Sequence, residues 1–506
     1  MSNVAILVCL ALIKLLIHVL TNGQYGFHRD EFLYMAMGNH LDWGYVELPP
    51  GVGAVAHFSN GLIGDSIFAV RFFPALVGAG IVMLIGLMVR ELGGKRYAQI
   101  LSGLAFIISP AYLRSNTLFQ PVSFDQFFWV LSAYLFIKIL KKDDPKRWLV
   151  LGLVMGLGLM NKYTMLLFGF GLLMSIVLTS HRRMLITKWP WIAGFTAFII
   201  FFPNLIWQHN HNWVFFEFIR ELSKQQFVNV QPADFIIGQI LMNMQALPIW
   251  IIGLYYYIFS RDGKPYRPLG LMYIIFLVVL LIARGKAYYL LPAYPMLFAA
   301  GSCEIEKYIT QMNWNWLKPA IVISMIIISI GVIPYGLPIL PVETFQKYAK
   351  FMSENLGLSG PLRWETGKIH SLPQDYADMF GWENQVATVA NVYHRLSPEE
   401  KKKCVIFASN YGEAGAIDYY GKRYDLPKAI NVSGSYYTWG PGSLPAEILI
   451  TIGLSEDVFD NWYEEVELVT TITHEYAREN NVPVHIARKP QISLQDLWPR
   501  LAKYRF

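Results

Sequence analysis

Long apolar runs, separated by short polar segments, make up most of the first 340 residues of the chain. A helix needs about 20 apolar residues to cross the hydrocarbon core of a bilayer. The runs that satisfy this rule as single helices are residues 3–21, 72–89, 97–113, 121–140, 189–206, 234–258 and 319–336. The pattern therefore predicts a polytopic α-helical membrane protein.

Two further runs have polar residues near their centres. As one helix, residues 148–180 would be about 50 Å long, too long for a single crossing, and Lys162 lies in the middle of the run. Residues 269–300 are interrupted in the same way at positions 284–286. We predict two short crossings from each run, which gives eleven transmembrane helices.

The basic residues predict the orientation of these helices. If the crossings alternate, clusters such as residues 141–147 and 182–188 fall on one side, and that side holds the larger share of Lys and Arg. Short loops rich in Lys and Arg face the cytoplasm. We therefore expect the N-terminus inside and the last third of the chain outside.

That last third has a different pattern. It contains short strand-like runs at residues 404–409, 447–453 and 466–473, separated by helical patterns such as residues 413–420. Alternating strand and helix signals are typical of an α/β domain. We divide the chain into a membrane part, residues 1–336, with a large first outer loop at 22–71, and an outer α/β domain, residues 337–506.

Composition supports this architecture and excludes others. Hydrophobic residues make up 54% of the chain and charged residues only 15%, against roughly 25% charged in soluble domains. Of the three cysteines, Cys404 alone falls in the outer domain, so no disulfide is expected within it. The net charge of +6 is spread over short clusters between apolar runs, which argues against nucleic acid as a partner.

The first outer loop and several interrupted helices carry candidate chemistry. Asp30 and Glu31 follow the first helix directly, Asp125 lies five residues inside the fourth span, and Lys162 and Lys286 interrupt helices on the same side. Ionisable residues at membrane depth indicate function by default. Two structural alternatives stay open, an ordinary acidic helix start for Asp30 and Glu31, and mutually neutralising ion pairs for the whole set.

Carboxylates beside cations at a membrane surface suit a particular class of reaction. Cations can hold the phosphate of a lipid-linked donor as it leaves, while a carboxylate takes a proton from the attacking hydroxyl. In an inverting displacement these two events occur on opposite sides of the sugar. The acidic and the basic side chains must therefore lie on opposite walls of the active site.

Five segments along residues 1–300 resemble one family in order and in side of the membrane. These segments are Asp30-Glu31, Tyr34, Gly44-Tyr45-x-x-x-Pro49-Pro50, Asn161-Lys162-Tyr163-Thr164 and Lys286-x-Tyr288-Tyr289-x-x-Pro292. In them the sequence resembles the polyprenyl-phosphate-sugar-dependent glycosyltransferases of family 39, which belong to the GT-C superfamily with protein O-mannosyltransferases and lipid A aminoarabinose transferases.

The resemblance implies an inverting transfer of a sugar from a polyprenyl phosphate to a hydroxyl of a lipid, glycan or protein. It also implies a multi-pass protein of the bacterial inner membrane, among membrane lipids, with its active site and outer domain in the periplasm. Asp30 falls at the position of the family's catalytic acidic residue, with Glu31 beside it, and Asp125 falls where the second outer loop of the family contributes an acidic residue. We expect the donor phosphate to be bound by Lys162, Arg284 and Lys286, with hydroxyls from Tyr34 and Tyr289.

The sequence does not decide whether the protein binds a metal ion. Glu47 falls where the aminoarabinose transferases have a Glu that can bind a metal ion, but Leu48 follows it here in place of their Lys. His57, His209 and His211 are further candidates for a substrate or metal contact. No His-Glu-x-x-His motif or Cys cluster is present. A divalent metal ion is therefore an open alternative, and no other cofactor is expected.

Two functions from other classes compete with an enzyme. A transporter or flippase of lipid-linked sugars would also carry ionisable residues among its helices, but such proteins commonly contain repeats with matching broken helices, and no such repeat is visible. A noncatalytic lipid-binding protein would explain the outer domain but not Asp30, Asp125 and Lys286 together.

Overall fold

The computed structural model describes residues 3–142, 144–458 and 462–506, and it consists mainly of helices. Most of the helices up to residue 336 pack around one buried apolar core. In chain order these helices are α1 (Asn3–Thr21), α2 (Arg29–Asn39), α3 (Gly51–Leu62), α4 (Ile67–Glu91), α5 (Arg96–Ile107), α6 (Pro110–Thr117), α7 (Pro121–Lys141), α8 (Pro145–Asn161), α9 (Met165–Val177), α10 (Trp189–Asn210), α11 (Val214–Gln225), α12 (Pro232–Met242), α13 (Leu247–Phe259), α14 (Arg267–Ile282), α15 (Tyr294–Gln311), α16 (Leu317–Ile330) and α17 (Ile333–Gly336).

Each predicted span coincides with helix in the structure, and the first outer loop contains two further short helices, α2 and α3. The interruptions at Lys162 and at 284–286 are confirmed, because α8 ends at Asn161 and α14 ends at Ile282. Three predicted spans are themselves broken, and the last of them, 319–336, is divided into α16 and α17. The span 97–113 is divided into α5 and α6, since Pro110 begins a new helix.

The second broken span, 234–258, consists of helical segments that meet at an angle of 68°. Among the described residues, five helices are long and apolar enough to cross a membrane alone, and seven spans result if each bent pair counts as one. Several of the other predicted crossings are helices of fewer than 18 residues. The protein is a multi-pass membrane protein, while the count of eleven crossings and their orientation stay predictions.

The remaining residues form the predicted α/β domain around a five-stranded sheet with the order β2-β1-β3-β5-β4. Strand β1 is parallel to β2 and β3, whereas β5 is antiparallel to β3 and β4. The elements are α18 (Val342–Leu356), α19 (Gln374–Ala377), α20 (Trp382–His394), α21 (Pro398–Lys401), β1 (Cys404–Ala408), α22 (Tyr411–Tyr420), β2 (Ala429–Ile430), α23 (Ser435–Trp439), β3 (Ile448–Ile452), β4 (Tyr463–Ile472), β5 (Val482–Pro490) and α24 (Leu494–Leu497).

The outer domain lies directly on the first outer loop. Apolar residues of α2 and of the sheet domain belong to one buried cluster, and the ring of Phe32 meets Trp382 edge-on at 5.6 Å between centroids. Gly415 on α22 allows this approach, because a Cβ there would lie 2.5 Å from the Cβ of Phe32. The outer domain therefore covers the loop that carries Asp30.

Candidate active site

A cavity of about 860 Å³ lies between the membrane helices and the outer domain. Its volume is in the range of pockets that hold drug-sized ligands. The membrane part supplies one part of the lining. The outer domain supplies the rest, including residues within 365–378, residues 433–434 and Tyr411. Its charged and hydroxyl-bearing lining includes Asp30, Tyr34, Glu47, Lys162, Lys286, Tyr288 and Tyr289.

Asp30 stands on one wall of this cavity, in the first turn of α2. Its Oδ1 accepts a hydrogen bond of 2.8 Å from the hydroxyl of Tyr411. Tyr34, one helical turn further along α2, is buried beside it. Burial, followed by the charge of Asp30, raises the pKa of Tyr34 well above its usual value. The Tyr34 hydroxyl therefore keeps its proton and can donate a hydrogen bond.

Glu31, the neighbour of Asp30, is completely buried and does not line the cavity. Both of its oxygens pair with Arg71, at 2.9 and 2.8 Å, and they also accept backbone N–H groups of His28 and Phe119. Burial raises the pKa of Glu31, but Arg71 and the two backbone N–H groups together outweigh burial and leave this pKa lowered. This position does not support the expectation of a catalytic Glu31, because both of its carboxylate oxygens are already paired and hydrogen-bonded within the fold.

The cavity lining also carries cations beside tyrosines. Lys162, in the break between α8 and α9, holds its ammonium 5.0 Å from the ring centre of Tyr289 and 5.7 Å from that of Tyr288. Lys286 precedes these two tyrosines in the chain and also lines the cavity. The two helix breaks predicted from the sequence are thus brought to one place.

Lys286 already has an acidic partner in the outer domain. Its ammonium lies 2.6 Å from Oε1 of Glu365, whose other oxygen accepts from the Gln374 side chain. Burial raises the pKa of Glu365, but Lys286, together with Gln374 and Arg478, outweighs burial and holds this pKa below its usual value. Glu365 is therefore a carboxylate, and it neutralises a cation expected to bind phosphate.

Asp125 and Arg284 lie near this region but outside the cavity lining. Asp125 is buried, and its Oδ1 accepts a hydrogen bond of 2.8 Å from the hydroxyl of Thr164. It thereby stabilises the turn that carries Lys162. Arg284 is exposed, with a φ of 52°, and its guanidinium donates to the carbonyl of Val228 at 3.3 Å. These positions do not support direct catalytic or phosphate contacts for Asp125 and Arg284.

Glu47 lines the cavity, but its carboxylate is bound to the outer domain. Ser435 donates to it twice, from the backbone N–H at 2.9 Å and from the hydroxyl at 2.5 Å. Burial raises the pKa of Glu47, against the effect of these two hydrogen bonds. At Gly434 the φ of +52° and the nearby Oε1 of Glu47 exclude a side chain. Glu47 thus serves as a docking point for the outer domain.

The candidate histidines are not brought together with Glu47. His57 is exposed and contacts the carbonyl of Gly38, His209 is exposed, and the ring of His211 stacks on Trp207 at 3.9 Å. Among the described residues, no group of three or more His, Cys, Asp or Glu side chains is placed to hold a metal ion. The residues present do not fit the metal site considered from the sequence.

Charged side chains next to Asp30 link the start of α2 to the outer domain. Arg29 lies over the ring of Tyr411 at 4.8 Å and 3.3 Å from Oε1 of Glu479. Glu413, on α22, is buried and accepts from the backbone and hydroxyl of Ser409 at 2.9 and 2.8 Å. Burial, then the nearby charge of Glu479, raises the pKa of Glu413 to about 8. Glu413 is therefore largely protonated at neutral pH.

The residues that the outer domain contributes, above all Tyr411, Glu365 and Arg478, are not among those predicted from the sequence. Tyr411 lies in the segment Ser409-Asn410-Tyr411-Gly412-Glu413, which leads from β1 into α22. Its contact with Asp30 spans 381 positions, and no local pattern in the sequence indicates such a contact.

Several known proteins are similar to this chain. The family model described as dolichyl-phosphate-mannose-protein mannosyltransferase matches residues 47–207. The lipid A galacturonosyltransferase RgtD of Rhizobium johnstonii is 24% identical over 187 residues, which are 37% of this chain and 39% of that protein. The chain thus spans about two fifths of the length of this relative.

Solved structures extend the likeness to nearly the whole fold. ArnT of Cupriavidus metallidurans, bound to undecaprenyl phosphate, superposes with a TM-score of 0.65 over 96% of this chain and 97% of ArnT, at 14% identity. The oligosaccharyltransferase of Archaeoglobus fulgidus, in complex with zinc and sulfate, gives a TM-score of 0.50 over 88% of this chain and 67% of that one, at 13% identity. With the family model, these matches confirm the resemblance found in the sequence: the chain is similar to the family 39 glycosyltransferases of the GT-C superfamily and has the fold of ArnT.

Proposed function

We propose that this protein is an inverting glycosyltransferase that moves a sugar from a polyprenyl phosphate to a hydroxyl of a lipid, glycan or protein acceptor, on the periplasmic side of the bacterial inner membrane. One observation carries the proposal: a single cavity holds the carboxylate of Asp30 together with the ammonium groups of Lys162 and Lys286. The ArnT structure with undecaprenyl phosphate supports the choice of donor.

The cations bind the donor in this proposal. Lys162 and Lys286 attract the phosphate, and the hydroxyls of Tyr34 and Tyr289 donate hydrogen bonds to its oxygens. As the bond between the anomeric carbon and the phosphate oxygen breaks, negative charge grows on the phosphate, and these groups stabilise it. The polyprenyl phosphate is then released.

Asp30 acts as the general base on the acceptor side. The acceptor oxygen forms a bond to the anomeric carbon opposite the leaving phosphate, which inverts the configuration, and its proton moves to Asp30. A carboxylate has two oxygens, so one can hold the Tyr411 hydroxyl while the other receives the proton. Asp125 supports the Lys162 turn, and no metal ion takes part in this proposal.

Purified protein in nanodiscs, incubated with polyprenyl phosphates carrying different labelled sugars and an envelope lipid extract, tests the proposal. Transfer of label to an acceptor is the expected result, and Asp30→Asn should lower kcat by roughly a hundred- to ten-thousand-fold. Binding of undecaprenyl phosphate should stay close to wild type, because Asp30 does not hold the phosphate. Lys286→Ala should weaken that binding as well as turnover.

Asp65→Asn is the matched control, since Asp65 lies in the same outer loop but pairs with Lys422 on the surface. It should keep wild-type turnover. Movement of the labelled donor across vesicles without any transfer product would overturn the proposal in favour of a transporter. Wild-type turnover in Asp30→Asn would remove Asp30 from the role of base.

A further inference from the structure

Tyr411 has a fixed position at the start of α22. Strand β1 ends at Ala408, and the side chain of Asn410 caps the helix by accepting the backbone N–H groups of Gly412 and Glu413 at 2.9 and 3.1 Å. An N-cap of this kind fixes the backbone of the first turn. Tyr411 therefore projects from a rigid part of the outer domain into the cavity.

Two contacts then hold the Tyr411 side chain against α2. Its hydroxyl donates to Oδ1 of Asp30 at 2.8 Å, and the guanidinium of Arg29 lies over its ring at 4.8 Å. Arg29 is in turn paired with Glu479 of the outer domain at 3.3 Å. Asp30 and its neighbour Arg29 are thus both tied to the outer domain.

We propose that Tyr411 is a positioning residue for Asp30, so that the outer domain completes the active site and does more than cover it. This inference rests on the proposed function of Asp30 as the general base. A base must stay within hydrogen-bond reach of the proton it removes. Without a partner, the Asp30 carboxylate can rotate away from the acceptor. The Tyr411 hydroxyl holds one oxygen and thereby directs the other.

Tyr411→Phe tests this inference by removing only the hydroxyl. Because hydrogen bonds to charged groups are among the stronger ones, kcat should fall by about tenfold. Binding of undecaprenyl phosphate should change little, since Tyr411 acts on the acceptor side. Tyr463→Phe is the matched control: it removes a hydroxyl that donates to the carbonyl of Ala446 at 2.7 Å, inside the same domain and away from the cavity.

A double-mutant cycle separates positioning from a structural effect. In the Asp30→Asn background no base remains to be positioned, so adding Tyr411→Phe should leave the residual rate unchanged within about twofold. A further tenfold loss in that background would overturn the inference, because the hydroxyl would then act independently of Asp30. Loss of activity in Tyr463→Phe equal to that in Tyr411→Phe would also overturn it.

The same assay distinguishes failure of this inference from failure of the proposed function. If wild-type protein transfers sugar and Asp30→Asn does not, but Tyr411→Phe is as fast as wild type, the inference is wrong and the proposed function stands. If wild-type protein transfers no sugar from any donor, both are wrong. Thermal unfolding of each variant verifies that the outer domain is still folded.

Discussion

A carboxylate whose oxygens are all occupied cannot accept a proton from a substrate, and this separates Glu31 from Asp30. Glu31 makes two bonds to Arg71 and accepts two backbone N–H groups. Asp30, one residue earlier, faces the cavity. The two acids are neighbours in the sequence, and their tertiary contacts distinguish them: those of Glu31 lie within the fold, whereas Asp30 is left for the proposed chemistry.

Glu31→Gln should therefore destabilise the protein, whereas Asp30→Asn should leave its stability nearly unchanged. Breaking a buried ion pair leaves an uncompensated charge, here on Arg71, and costs about 3–5 kcal/mol. Thermal unfolding of the two variants in detergent checks this difference. A Glu31→Gln protein that unfolds at the wild-type temperature would contradict the structural role given to Glu31.

At the scale of elements, the helix breaks at Lys162 and at 284–286 were predictable because polar residues interrupt apolar runs. The strands β1, β3 and β4 and the helix α22 were predictable for the same kind of reason. The strand β2 has two residues, and β5 carries His485, Arg488 and Lys489, so neither has a clear apolar pattern. The ion pair between Lys286 and Glu365 joins distant segments and leaves no local signal.

Glu365→Gln should strengthen the binding of undecaprenyl phosphate, because it frees Lys286 from a competing carboxylate. The pair is partly exposed, so solvent screening limits the gain to about fivefold. Titration of the lipid into protein in nanodiscs measures it. Glu383→Gln is the control, since Glu383 pairs with Arg423 on the outer surface. Weaker lipid binding in Glu365→Gln would show that Glu365 supports the phosphate site.

At the scale of the whole molecule, the membrane part and the outer domain form one structure. They share a buried apolar cluster, and the hydrogen bonds from Ser435 to Glu47 and from Tyr411 to Asp30 join them at the cavity. The existence of the outer domain was predictable from the change in composition after residue 336. Its placement over Asp30 was not, because it depends on matching surfaces contributed by remote segments.

Stability of this joined structure should fall as the pH rises from 4.5 towards 8. The pKa of Glu413 is raised from 4.5 to about 8, so the folded state binds a proton that the unfolded state has lost, and stability falls with pH across this window. One such group changes stability by up to about 1.4 kcal/mol per pH unit. Unfolding temperatures across the window should show this slope, and Glu413→Gln should reduce it. An unchanged slope in the variant would exclude Glu413 as its source.

The distance of 381 positions between Asp30 and Tyr411 also bears on how the protein is made. At about 5–20 residues per second, the ribosome needs roughly 20 to 80 seconds to travel from one to the other. For most of that time Trp382 has not yet been made, so Phe32 cannot pack against it. In the proposed function, Asp30 of a newly made chain therefore has no positioning partner until the segment around Tyr411 has been made and has folded onto α2.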